Sequence, residues 1–203
     1  MYKNIVFDMG NVLIKFDPKE YINSYVKEEE IADCLYKEIF LSKEWIQYDR
    51  GVINLDGINS AVEDRVEEEY HDYVKFIVSN WRNKLLAHSD MEELVTKLKA
   101  KGYKIYLLSN VSKHYYDFRE NIPALKYFDG EFISADYQLI KPEKEIFLEF
   151  YKKFKLKPEE CFFIDDLALN IEAAEKTGMK GFVYHGDIDK LYKALEFHNI
   201  LSY

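Results

Sequence analysis

The sequence predicts an α/β protein: a three-layer, Rossmann-like parallel sheet with helices on both faces, and a small helical cap inserted after the first strand. Three observations lead there. Five short apolar runs each end in polar residues. Helical periodicities separate most of them. One long segment, residues 15–88, breaks the alternation.

The apolar runs read as buried strands, rich in β-branched and aromatic residues with little alternation. Lys3-Asn4-Ile5-Val6-Phe7 runs into Asp8, and Tyr103 to Leu108 runs into Ser109-Asn110. Gly130-Glu131-Phe132-Ile133 ends at Ser134, Cys161-Phe162-Phe163-Ile164 at Asp165-Asp166, and Gly181-Phe182-Val183-Tyr184 at His185-Gly186. Between them, residues 90–101 carry Met91, Leu94, Val95 and Leu98 at helical spacing and stop at Gly102. Pro142 opens a second helical pattern with Ile146, Phe147, Phe150 and Phe154 on one face. Residues 170–176 form a third, closed by Gly178. In a parallel sheet all the polar stops lie beyond the carboxyl ends of the strands, where ligands bind.

Residues 15–88 show no buried strand and read as amphipathic helices at 19–26, 29–40 and 66–81. The stretch is too long for a plain connection. The expected division is a core of residues 1–14 and 89–203 with a cap of residues 15–88 over the strand ends.

Composition narrows the partners. The chain has 203 residues, 48% of them hydrophobic and 32% charged, which suits a globular protein with a real core. Its formal net charge of −9 and lack of a basic run disfavour nucleic acid, whose binding depends on phosphate neutralisation by Lys and Arg. A small phosphate ester needs only one local positive site. Cys34 and Cys161 are far apart and have no metal-ligand spacing, and no apolar run is long enough to span a bilayer. These features predict a soluble cytoplasmic protein, a monomer or small homo-oligomer, with no nucleic-acid or membrane partner.

Each strand end taken alone is ordinary turn chemistry. Together they are not. Asp165-Asp166 sets two carboxylates side by side, which repel unless a cation joins them. Mg²⁺, a hard ion that takes oxygen ligands, is the natural one. Lys141 precedes a helix start, where a cation is disfavoured unless it pairs with an anion; Asp8 and a phosphate are both candidates.

The order Asp8 with Gly10-Asn11-Val12-Leu13, then Ser109-Asn110, then Lys141-Pro142, then Asp165-Asp166 with Asn170, resembles the haloacid-dehalogenase-like (HAD) hydrolase superfamily across the whole chain. The Phe-Asp-x-Gly-Asn-Val spelling, and Asp49-Arg50-Gly51 following Trp45 and Gln47, resemble small bacterial sugar-phosphate (glucose-1-phosphate) phosphatases related to the N-terminal phosphatase domain of bifunctional epoxide hydrolases. The resemblance implies that Asp8 attacks phosphorus to form an aspartyl-phosphate. It implies Mg²⁺ held by Asp8, the Gly10 carbonyl and Asp166, with Asp165 as an auxiliary acid in the metal group and Asn170 in support. Ser109, Asn110 and Asn11 would meet substrate oxygens, and Lys141 would neutralise charge. Trp45, Gln47, Tyr48 and Arg50 are the cap residues expected to face a small phosphorylated metabolite. His71 and His88 are expected to be structural or exposed.

Two departures matter. Phosphatases of this superfamily typically carry an acid two positions after the nucleophile, and Gly10 stands there. Losing a general acid–base costs about 10²–10⁴ in rate. Three readings follow: a good leaving group such as the anomeric hydroxyl of a sugar 1-phosphate, a proton supplied by His114 or Asp17, or a weakly active or non-catalytic binding protein. Gln138 and Ile140 also replace the usual Gly and basic residue before Lys141. Haloacid dehalogenation needs no metal, so the acidic pair argues against it. A mutase would need the acid that Gly10 lacks.

Overall fold

The computed structural model describes residues 1–201. In chain order the elements are β1 (Asn4–Phe7), β2 (Ile14–Lys15), α1 (Pro18–Asn23), α2 (Glu29–Phe40), α3 (Lys43–Arg50), α4 (Leu55–Glu63), α5 (His71–Asn80), β3 (Leu86–Ala87), α6 (Ser89–Ala100), β4 (Lys104–Ser109), α7 (Tyr115–Phe118), β5 (Gly130–Ile133), α8 (Ser134–Tyr137), α9 (Lys144–Phe154), β6 (Cys161–Asp165), α10 (Ala168–Lys176), β7 (Lys180–Val183) and α11 (Ile188–Phe197).

The main sheet runs β5-β4-β1-β6-β7, and every pairing is parallel. From β1 the chain reaches β4 and β5 on one side, then crosses to β6 and β7 on the other. The strand order therefore reverses at β1, which is where such sheets open a crevice for ligands. The period-2 alternation of strands divides the core into two layers. Ile5 and Phe7 of β1 share one cluster with Met91, Leu94 and Leu98 of α6 and with Leu191 and Leu195 of α11. Val6 faces the opposite layer, with Phe147 and Phe150 of α9 and Ile171 and Ala174 of α10. The expected three layers are present.

Helices α1 to α5 fall between β2 and β3, which pair antiparallel as Ile14↔Ala87 and Lys15↔Leu86. This two-stranded ribbon forms the neck through which the helical insert leaves and returns. The insert has no separate core: Leu35, Ile39, Ile58, Val62, Val74 and Ile77 belong to the same cluster as Phe7 and Leu107. Among the described residues, no helix is long and apolar enough to cross a membrane.

Several local expectations change. The helix anticipated over residues 66–81 is a 3₁₀ turn at Glu68–Tyr70 followed by α5. Acids favour a helix N-terminus, so the run Glu67-Glu68-Glu69 marks an entry and not a helix interior. Helices α3 and α4 arise where no helix was anticipated. Their signals are caps: Ser42 Oγ accepts from the Trp45 N–H at 3.1 Å, and Asn54 Oδ1 accepts from the Gly57 N–H at 3.0 Å. The helix expected from Pro142 begins two residues later, after Glu143 at its N-cap.

Candidate active site

The end of β1 delivers Asp8, whose N–H donates to the Ile164 carbonyl at 2.8 Å. The carboxylate therefore emerges between β4 and β6. Lys141 arrives from the loop before α9. Its backbone is clamped by the Asn110 amide, which donates to the Lys141 carbonyl at 2.9 Å and accepts from the Lys141 N–H at 2.9 Å. Buried Lys141 Nζ then reaches Asp8 Oδ1 at 2.8 Å, Asp165 Oδ2 at 2.7 Å and the Leu108 carbonyl at 2.9 Å. All three ammonium hydrogens have a partner. Asp165 is held in turn: its Oδ1 accepts from the Leu167 N–H at 2.8 Å, and the Asn170 amide donates at 2.9 and 3.0 Å.

One ammonium thus faces three carboxylates, since oxygens of Asp8, Asp165 and Asp166 lie within 4.8 Å of one another. Burial pushes the Asp8 carboxyl up, Lys141 pulls it down, and Asp165 and Asp166 push it up again. Burial also raises Asp166, against the hydrogen bond from Asn11 Nδ2 at 3.0 Å. Burial opposes the Lys141 charge, and its two carboxylate partners outweigh that opposition. The excess of negative charge and the all-oxygen donors fit a hard divalent cation. Asp165 has both oxygens engaged by protein donors, which leaves Asp8 and Asp166 as the more open carboxylates.

These groups line a cavity of about 320 Å³ under the helical insert. Asp8, Gly10, Asn11, Asn110, Lys141, Asp166 and Asn170 form its floor. Phe16, Trp45, Asp49 and Trp81 of the helical insert also line it, with Ile14, Val111 and Leu167. Trp45 and Trp81 meet edge to face at 5.6 Å, and Phe16 meets Trp81 at 5.8 Å.

A haloacid dehalogenase-like hydrolase model matches residues 2–178. The chain belongs to this family. The HAD-like hydrolase is 27% identical over 184 residues to a sesquiterpene phosphatase, astK, of Aspergillus oryzae, with 89% of this chain and 88% of that protein covered. It is 25% identical over 196 residues to a D-ribitol-5-phosphate phosphatase of Bacteroides thetaiotaomicron, covering 90% and 91%. A Bacteroides thetaiotaomicron HAD family enzyme, solved with magnesium and inorganic phosphate, shares its fold with a TM-score of 0.70 at 24% identity, over 95% of this chain and all of that one.

Within this HAD-like hydrolase, the residues singled out from the sequence separate into two groups. Asp8, Gly10, Asn11, Trp45, Asn110, Lys141, Asp166 and Asn170 do line one cavity. Ser109 ends β4 fully buried and outside the lining. Gln47 and Arg50 correct the expectation that they face the site. They lie on α3 outside the cavity lining, and Arg50 is engaged by an ion pair with Glu143. Tyr48 is also off the cavity, with its hydroxyl 2.7 Å from His114 Nδ1. That contact occupies His114, and Asp17 caps α1 by accepting from the Glu20 N–H at 2.8 Å. Neither lines the cavity. His71 Nε2 sits 3.1 Å from the Glu63 carbonyl, a structural role. Gln138 holds a left-handed backbone, φ 55°, a conformation that favours Gly.

Among the lining residues not singled out as site residues from the sequence are Phe16, Trp81 and Asp49. The two aromatics carried no signal distinct from core packing. Asp49 stood beside the Arg50 that was singled out in its place.

Proposed function

We propose that this hydrolase removes phosphate from a small phosphomonoester through an aspartyl-phosphate on Asp8, with Mg²⁺ as cofactor. It is a phosphoric monoester hydrolase of its family. The observation that carries the reading is Lys141 bridging Asp8 and Asp165 beside Asp166, in one cavity at the strand ends.

Asp8, the Gly10 carbonyl and Asp166 would hold Mg²⁺, which when bound supplies positive charge for the phosphoryl oxygens. Lys141 binds Asp8 Oδ1, so Oδ2 is the oxygen free to attack phosphorus. Asp165 and Asn110 hold Lys141 in place, one through its ammonium and the other through its backbone. Asn11 orients Asp166 and accepts from the Phe16 N–H at 3.1 Å. Phosphoryl transfer asks mainly for such positioning and charge stabilisation. Residues 15–88 serve as the cap, and the core comprises residues 1–14 and 89–203.

A sugar phosphate is one substrate class, with its ring laid on the tryptophan faces. A second class is favoured by a specific observation. With Gln47 and Arg50 outside the lining, the cap offers the cavity Phe16, Trp45 and Trp81, and Asp49 as its one ionisable group. Such walls suit an ester of an apolar or aromatic alcohol. The relatives are named for D-ribitol-5-phosphate and for a sesquiterpene.

A phosphate-release panel tests the reading. It spans sugar 1- and 6-phosphates, prenyl phosphates and aryl phosphates, each with Mg²⁺ and with chelator. Turnover that needs Mg²⁺ and vanishes in Asp8→Asn is expected. Turnover unchanged after complete metal removal eliminates the cofactor, and Asp8→Asn at wild-type rate eliminates the nucleophile. No release from any ester would leave a binding protein.

A further inference from the structure

The floor of the cavity lacks the second acid of the usual pair. Nothing lies within 4 Å of where a Cβ on Gly10 would be, so the space that such a side chain would occupy is open. Besides Asp8, the titratable side chains lining the cavity are Asp49, Lys141 and Asp166. Lys141 is saturated by Asp8, Asp165 and Leu108, and Asp166 is bound by Asn11 within the proposed metal group. Asp49 remains, lining the same cavity from α3.

Its placement is built in. Gly51, at the left-handed C-cap of α3, sits so close to α8 that a Cβ there would lie 2.5 Å from the Ala135 carbonyl oxygen. Ser134 Oγ donates to the Asp49 carbonyl at 2.5 Å. Arg50 is drawn the other way by Glu143. These contacts fix the rotation of α3 so that the side chain of Asp49, and not its neighbour's, enters the cavity.

We propose that Asp49 is the general acid and base of the reaction, supplied by the cap in place of the residue missing at Gly10. This rests on the phosphatase reading above. As Asp8 Oδ2 bonds to phosphorus and the ester P–O bond breaks, the Asp49 carboxyl gives its proton to the departing alkoxide, leaving the alcohol and an Asp49 carboxylate. Water then attacks the aspartyl-phosphate while giving a proton to Asp49. The P–O bond to Asp8 breaks, phosphate leaves, and both aspartates return to their starting states. Burial pushes the Asp49 carboxyl up, reinforced by the Asp8 charge and opposed by the Ser112 N–H, the direction that favours a proton donor.

The test compares wild type, Asp49→Asn, Gly10→Asp and the double variant on an alkyl phosphate and on p-nitrophenyl phosphate, whose leaving group needs no proton. Asp49→Asn should lose about 10²–10⁴-fold in steady-state turnover of the alkyl ester. With the aryl ester it should release about one equivalent of nitrophenol per enzyme in a burst and then stall, because the base for the second step is gone. Gly10→Asp in the Asp49→Asn background should recover at least about tenfold of the loss. Full turnover by Asp49→Asn overturns the proposal. So does an equal loss on both esters with no burst, or a double variant no faster than Asp49→Asn. A wild type inert toward every ester fails the phosphatase reading itself and is distinguished by that result.

Discussion

Arg50, the last residue of α3 in the helical insert, forms a two-pronged ion pair with Glu143, the N-cap of α9 in the core: Nη1 to Oε2 at 2.9 Å and Nη2 to Oε1 at 2.5 Å. Glu143 follows Lys141 by two residues, so this clasp joins the helical insert to the loop that carries the site lysine. The Arg50 hydrogen bond holds the Glu143 carboxyl below its ordinary value. A depressed carboxylate contributes stability above its unfolded pKa and loses it as pH falls through the folded value. The wild-type advantage over Glu143→Gln should be complete above about pH 4.5 and fade below it. Solvent screening at half-exposed Glu143 limits the contribution to about 1 kcal/mol or less. Urea denaturation of both proteins across pH measures it. An advantage that grows toward acid pH would refute the assignment.

Lys141 neutralises two buried carboxylates at once. Lys141→Met should destabilise the protein by about 3–5 kcal/mol, because Asp8 and Asp165 are left buried and uncompensated. Turnover should fall at least about 10²–10³-fold. Denaturant titration and phosphate release read the two effects separately. A stable Lys141→Met protein would show that the ammonium is not what holds the carboxylates together.

Magnesium should stabilise the fold by relieving the charge excess at Asp8, Asp165 and Asp166. At about 100 times its dissociation constant the gain is about 2.7 kcal/mol, or a rise in melting temperature of about 5–10 °C for a chain of this size. Asp166→Asn and Asp8→Asn should abolish most of that rise. Both variants should also melt higher than wild type in chelator, since each removes one excess charge. Thermal melts with Mg²⁺ and with chelator decide it. An undiminished rise in both variants would place the ion elsewhere.

Gly51 has φ +80° and no room for a Cβ against Ala135. Gly51→Ala should cost about 1–2 kcal/mol for the left-handed conformation alone, with a further loss from the crowded backbone. The same change loosens the seam that carries Asp49, so turnover should fall in the protein that remains folded. Denaturation midpoints together with phosphate release from the soluble fraction provide the check. Wild-type values in both would contradict the close packing of α3 on α8.

The core was legible because its signals are local. Apolar runs such as Cys161-Phe162-Phe163-Ile164 announce buried strands, and Met91, Leu94, Val95 and Leu98 announce a helix face, from neighbouring positions alone. Parallel pairing then gathers every strand's carboxyl end on one edge. The nearness of Asp8, Asn110, Lys141 and Asp166 therefore followed from the order of elements. The helical insert was less legible. Its short helices α3 and α4 are defined by caps more than by periodicity.

By itself, then, the sequence determined an α/β sheet with a helical insert, a carboxylate at the end of its first strand, and a lysine and acid pair at later element boundaries. Periodicity and strand order carry that information. Only the tertiary structure decided which residue of α3 lines the cavity with that carboxylate. Asp49 and Arg50 are adjacent on α3 and point about 100° apart at 3.6 residues per turn. The choice between them is made by Ser134, 85 positions from Asp49, and by Glu143, 93 positions from Arg50. Contacts at that distance leave no mark on the local pattern of a short helix.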